Sequence, residues 1–133
     1  MLRRRHRDAK PPDQHPGANV APVRLHASDF LGNEWDDPSE ELLWQTISGL
    51  TYTGNQNLCL LNAIDGSVDG IYIQTAVLPD GRFTVEYQDG DLQHHYEAKV
   101  DDARRAYEVV AAWASNTPGW REMLAWERMK ELG

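Results

Sequence analysis

His94 and His95 are the only adjacent histidines in the chain, and Glu86 and Glu97 lie close to them in sequence, so acid–base chemistry would be sought here first. In an extended strand neighbouring side chains point to opposite faces, so the two rings cannot share one metal ion. His94 is expected on the inner face as a core or rim residue. His95, on the outer face with Glu86, Glu97 and Gln93, could act as a general base oriented by a carboxylate. No nucleophile accompanies it: Cys59, the single cysteine, sits inside the apolar run LCLL, and no serine occupies a strand-to-helix elbow. The segment DGSVDG at 65–70 has the look of a calcium-loop fragment, but its glycine and its missing bidentate glutamate do not fit, so a turn is expected. Glycine-rich phosphate loops are missing as well. No catalytic residue, metal site or cofactor is therefore expected.

The segment that must position these groups is residues 71–99, in which two turn signals separate three short runs. Pro79-Asp80-Gly81 suits a three-residue loop with Gly81 left-handed, which sets Val77 against Phe83, Thr75 against Val85 and Ile73 against Tyr87. Asp89-Gly90 reads as a two-residue turn, placing Tyr87 opposite Leu92, Val85 opposite His94 and Phe83 opposite Tyr96. One face is then apolar, and the other carries Thr84, Glu86, Gln93, His95 and Glu97. Residues 58–64 read as a central strand covered on both sides, and residues 25–30 as a short edge strand or irregular lead-in.

Helices should cover the apolar face. Asp37-Pro38-Ser39-Glu40 predicts a helix start, with Asp37 capping, Pro38 in the first turn and Glu40 closing a capping box, followed by Leu43, Ile47 and Leu50 with Trp44 beside them. Asp101-Asp102 opens a second helix with Ala103, Ala106, Tyr107, Val110, Trp113 and Ala114 along one stripe. Thr117-Pro118 predicts a third over 119–131. The expected fold is α+β: an antiparallel meander of about four strands packed against one N-terminal and two C-terminal helices. It would occupy residues 25–133 as one domain, behind a disordered basic, proline-rich tail at 1–24.

Charge is divided unevenly. Residues 1–24 hold six basic and two acidic side chains, a net of +4, and the other seven basic and nineteen acidic residues leave −12, against −8 for the whole chain. Such a body repels nucleic acid and anionic membranes and attracts basic proteins, although on charge alone acidity that serves only solubility is the commoner reading. No apolar run approaches the roughly 20 residues that span a bilayer, and the basic start lacks a signal-peptide core, so a cytoplasmic protein is expected. Trp35 with Asp36, and Trp126 with Glu127, are aromatics set among acids. Each ring is either core or an interface anchor with a charged rim.

The run RFTVEYQDGDLQHHYEA, then DDARRAYEVVAAWAS, PGW and LAWERMKEL, resembles an immunity-protein family of bacterial polymorphic toxin systems, the α+β type associated with deaminase toxins. The likeness extends from about residue 37 to the C-terminus, and its most specific pieces are Val85-Glu86-Tyr87, Asp89-Gly90 and Trp126-Glu127. It implies a non-enzymatic protein that binds a basic, nucleic-acid-acting toxin and occludes its active site, with no nucleic acid or membrane partner of its own. The free protein would be a monomer or weak homodimer. Candidate toxin-binding residues are Trp35, Asp36, Glu86, His95, Glu97, Trp126 and Glu127. Two other readings stay open: a small α+β enzyme using His95 with Glu86 or Glu97, and a secretion chaperone or adaptor.

Overall fold

The structure, a computed structural model, describes residues 24–62, 71–90 and 92–129. The tail at 1–23, the calcium-loop-like segment at 65–70 and the last residues of the expected third helix lie outside the described residues.

The fold is α+β, and the described residues form one antiparallel sheet of seven strands. In chain order they are β1 (Leu25–Asp29), β2 (Glu34–Asp36), β3 (Asn57–Asn62), β4 (Ile71–Val77), β5 (Phe83–Asp89), β6 (His95–Val100) and β7 (Glu127–Arg128). Their spatial order is β2-β1-β3-β4-β5-β6-β7. Helices α1 (Glu40–Ser48) and α2 (Ala103–Ala114) both pack on one face of the sheet. Among the described residues the expected four or so strands thus become seven, and the three helices become two. Among the described residues no helix is long and apolar enough to cross a membrane.

The register of β4 against β5 is the one the turn chemistry predicts: Val77 faces Phe83, Thr75 faces Val85, and Ile73 faces Tyr87. Gly81 sits at φ +92, and Leu78 N–H donates to the Arg82 carbonyl at 2.7 Å to close the three-residue loop. The next hairpin is different. Gly90 is left-handed at φ +111, but a 3-10 turn at Leu92–His94 lengthens the connection, so Tyr87 faces Tyr96, Val85 faces Ala98 and Phe83 faces Val100. Apolar matching overrides the tight turn: Ala98 and Val100 become buried, and the Tyr87 and Tyr96 rings stack at 5.1 Å. The register moves by four positions, an even number, so His95 and Glu97 keep the outer face. His94 leaves the strand for the 3-10 turn and is exposed rather than on the inner face.

Leu58 and Leu60 of β3 are buried, while Cys59 and Leu61 are only half-buried, so this strand is central but covered on one side alone. β1 is likewise internal rather than an edge strand, because the short hairpin to β2 pairs Ala27 with Trp35. Ser39, not Asp37, caps α1: its Oγ accepts from Leu42 N–H at 3.0 Å, and Pro38 lies outside the helix. Asp37, at φ +48, turns its carboxylate back to accept from the backbone N–H groups of Arg24 and Leu25. Asp102 caps α2 by accepting from Arg105 N–H at 2.9 Å.

The third helix gives way to a 3-10 turn (Trp120–Met123) and the edge strand β7. Residues 120 and 126 would stand about 120° apart on a helix. With Gly119 left-handed and Leu124 extended, both rings instead meet Tyr87 edge-on, at 4.8 Å and 4.7 Å. Burying two indoles against a tyrosine outweighs the local helical preference.

Asp29 closes the sheet at the opposite end of β1. Burial raises its pKa, but hydrogen bonds from Asn33, Asn55 and Leu31 outweigh that and hold it below the ordinary carboxylate value. Because the folded-state value is the lower one, the stabilisation is complete above the ordinary pKa of about 4 and is lost as pH falls below it. Asp29→Ala is expected to cost about 2–3 kcal/mol in urea unfolding at pH 7. The gap to the parent should narrow in acid, and a gap independent of pH would contradict the assignment.

Candidate functional site

With both helices on one side, no described helix packs on the other face of the sheet. Alternation along the strands puts polar and charged side chains there. The pairings link Glu34, Ser28, Cys59, Gln74, Glu86, Glu97 and Glu127 in a single lateral row across all seven strands. Glu86, Glu97 and Glu127 stand side by side on β5, β6 and β7. Like charges directly opposite one another oppose folding, so this arrangement is unfavourable to the isolated protein.

A second row runs beside the first: His95, Gln88, Tyr72, Leu61, His26 and Asp36. His95 Nε2 lies 3.2 Å from the Tyr72 hydroxyl and 3.6 Å from Glu86 Oε2, close enough to Glu86 for an ion pair but too long for a hydrogen bond. Burial, then the nearby Glu86 carboxylate, push the Tyr72 phenol up to about 12. Tyr72 is absent from the residues expected at the site, although its position between Ile71 and Ile73 in an alternating strand signals the outer face. At the far edge His26 is held between two acids, Nε2 at 3.2 Å from Glu34 and Nδ1 at 3.1 Å from Asp36.

The structure thus brings Glu86, His95, Glu97 and Glu127 together, and places Asp36 on the same face beside His26. It separates the two tryptophans from them. Trp35 is 8% exposed and belongs to the core, so of its two roles the structure gives it the core one. Trp126 packs against Tyr87 and Trp120 and donates its Nε1–H to the Arg121 carbonyl at 2.9 Å. Trp35 points away from Glu34 and Asp36 because neighbours in a strand diverge, and Trp126, just before β7, turns onto Tyr87 while Glu127 pairs with Glu97.

Chemically, the face offers carboxylates and imidazoles in partial exposure. The Cys59 thiol is pushed up to about 11, by burial and then by the Glu86 charge. Among the described residues no group of three or more His, Cys, Asp or Glu side chains is placed to hold a metal ion. Two cavities of about 310 and 300 Å³ open near the C-terminal end of α2, and neither is lined by His95 or Glu86.

Two outcomes are expected. A thiol whose pKa is about 11 carries roughly 300-fold less thiolate at neutral pH than an ordinary one near 8.5, so maleimide should label Cys59 slowly until alkaline pH. Labelling at the rate of free cysteine would contradict this. Glu97→Gln should raise the urea stability of the free protein by about 0.2–1 kcal/mol by relieving the row, and a loss of stability would contradict it. Comparisons of the chain with protein-family models, with curated proteins and with solved structures found no match.

Proposed function

We propose that the protein is an immunity protein that binds and neutralises a bacterial toxin in the cytoplasm, using the outer sheet face to block the toxin's active site. The observation that carries this reading is the lateral row Glu86, Glu97 and Glu127, three carboxylates held side by side on a face that no described helix covers. An enzyme acting on nucleic acid needs a basic channel, and an acidic sheet face is attracted to that channel in place of the substrate. The −12 charge of residues 25–133 supports the same pairing, as does the order of motifs that resembles the deaminase-associated immunity family. The protein itself catalyses nothing in this reading, and is a monomer or weak homodimer when free.

A second reading, a small α+β enzyme using His95 with Glu86 or Glu97, is favoured by one observation: the contact of His95 with Tyr72 and Glu86. An activity that is lost on His95→Ala would establish it.

The first reading is tested with the purified product of the reading frame immediately upstream, which on this reading carries the toxin domain. A stoichiometric complex is expected, and none at micromolar concentration would count decisively against it. Reversal of the row in Glu86→Lys, Glu97→Lys and Glu127→Lys together should slow association about tenfold or more at low salt. The effect should fade near 1 M salt, where screening acts within about 3 Å. Association that is unchanged at low salt would place the contact on another surface.

A further inference from the structure

Among the described residues the exposed large apolar side chains are Phe30 (52%), Leu31 (64%) and Tyr52 (50%), and all three lie at one end of the sheet. Phe30 and Leu31 form the tip of the β1–β2 turn, and Tyr52 lies in the connection from α1 to β3. The tip is held unusually firmly for an exposed turn. The Asp29 carboxylate beneath it accepts from Leu31 N–H at 3.1 Å, Asn33 N–H at 2.9 Å and Asn33 Nδ2 at 3.0 Å. Its second oxygen also accepts from Asn55 Nδ2 at 2.9 Å, which ties the turn to the Tyr52 connection. Phe30 N–H donates to the Asn57 carbonyl, and Gly32, at φ +94, lets the chain reverse. A largely buried carboxylate is thus used to present two apolar side chains to water, which leaves much of their apolar surface without hydrophobic gain in the folded chain.

We infer that the Phe30–Leu31 tip is the apolar anchor of the binding face, seating in an apolar recess on a basic partner protein. The tip is continuous with the acidic row: Glu34, the end of that row, pairs with Ser28 at the base of the same turn. An aromatic and an aliphatic side chain, rigid before contact and rimmed by acid, fit a recess with a basic margin, since no ordering of the turn remains to oppose binding. Charge then brings the partner in, and the tip keeps it there. This inference rests on the toxin-binding reading and adds to it the residues that set the lifetime of the complex.

The test is surface plasmon resonance of Phe30→Ala/Leu31→Ala against the immobilised upstream toxin domain, with the unfolding midpoint measured in parallel. Dissociation is expected to quicken about tenfold or more, with association nearly unchanged, because an anchor acts on the lifetime of the complex. The midpoint should stay at the parent value, since both side chains are exposed; should the double variant unfold, Leu31→Ser alone reads the same off-rate. A folded variant with the parent's off-rate overturns the anchor and leaves the toxin-binding reading standing. Parent protein that forms no complex overturns both.

Discussion

Val77 faces Phe83 across a three-residue turn, and because side chains alternate along a strand, that register decides the face of each residue in the sheet. Ile73, Val85 and Tyr87 fall inward with it, and Glu86 falls outward. Every later pairing preserves the division: the β5–β6 connection moves the register by an even number of positions, and β7 adds Glu127 to the outer row. A shift of one residue would bury three carboxylates and expose the core, so the faces are set by a large energetic difference.

The two helices make the faces unequal. Leu43 and Ile47 of α1 and Ala106, Val109 and Val110 of α2 all join the same core as the inward strand residues. The aromatic group of Tyr87, Tyr96, Trp120 and Trp126 seals that core near the β7 edge, where the sheet is narrowest in chain length. What remains on the other side is a broad polar surface whose carboxylates repel one another. The row Glu86, Glu97 and Glu127 opposes folding of the free chain, a cost that the basic partner proposed above would offset. At the end of this face stands the exposed Phe30–Leu31 turn.

Much of this was legible in the residues. The turn at Pro79-Asp80-Gly81, the strand at Leu58, the inward stripe of α1 and the outward placement of Glu86, His95 and Glu97 all follow from periodicity and turn chemistry; in α2 the expected stripe includes Ala106 and Val110 but not the fully buried Val109. The departures share one cause, tertiary contacts that outweigh local preference. Tyr96 packs on Tyr87 rather than obeying the tight Asp89-Gly90 turn. Trp120 and Trp126 converge on Tyr87 rather than continuing a helix. The β1–β2 hairpin carries too short a strand, Glu-Trp-Asp, to signal itself, so Trp35 was open to an interface role that its position opposite Ala27 removes. Asp29 gave no signal either, because its hydrogen bonds reach Asn55 across the fold.

On the reading proposed above, the outer sheet face meets a basic partner. Carbodiimide-driven carboxyl labelling read by mass spectrometry, with and without the purified product of the adjacent upstream reading frame, tests that contact. Glu34, Glu86, Glu97 and Glu127 should lose reactivity in the complex while Glu40, Glu41 and Glu108 on the helices keep theirs. Protection of the helix carboxylates with the sheet row still fully labelled would contradict it.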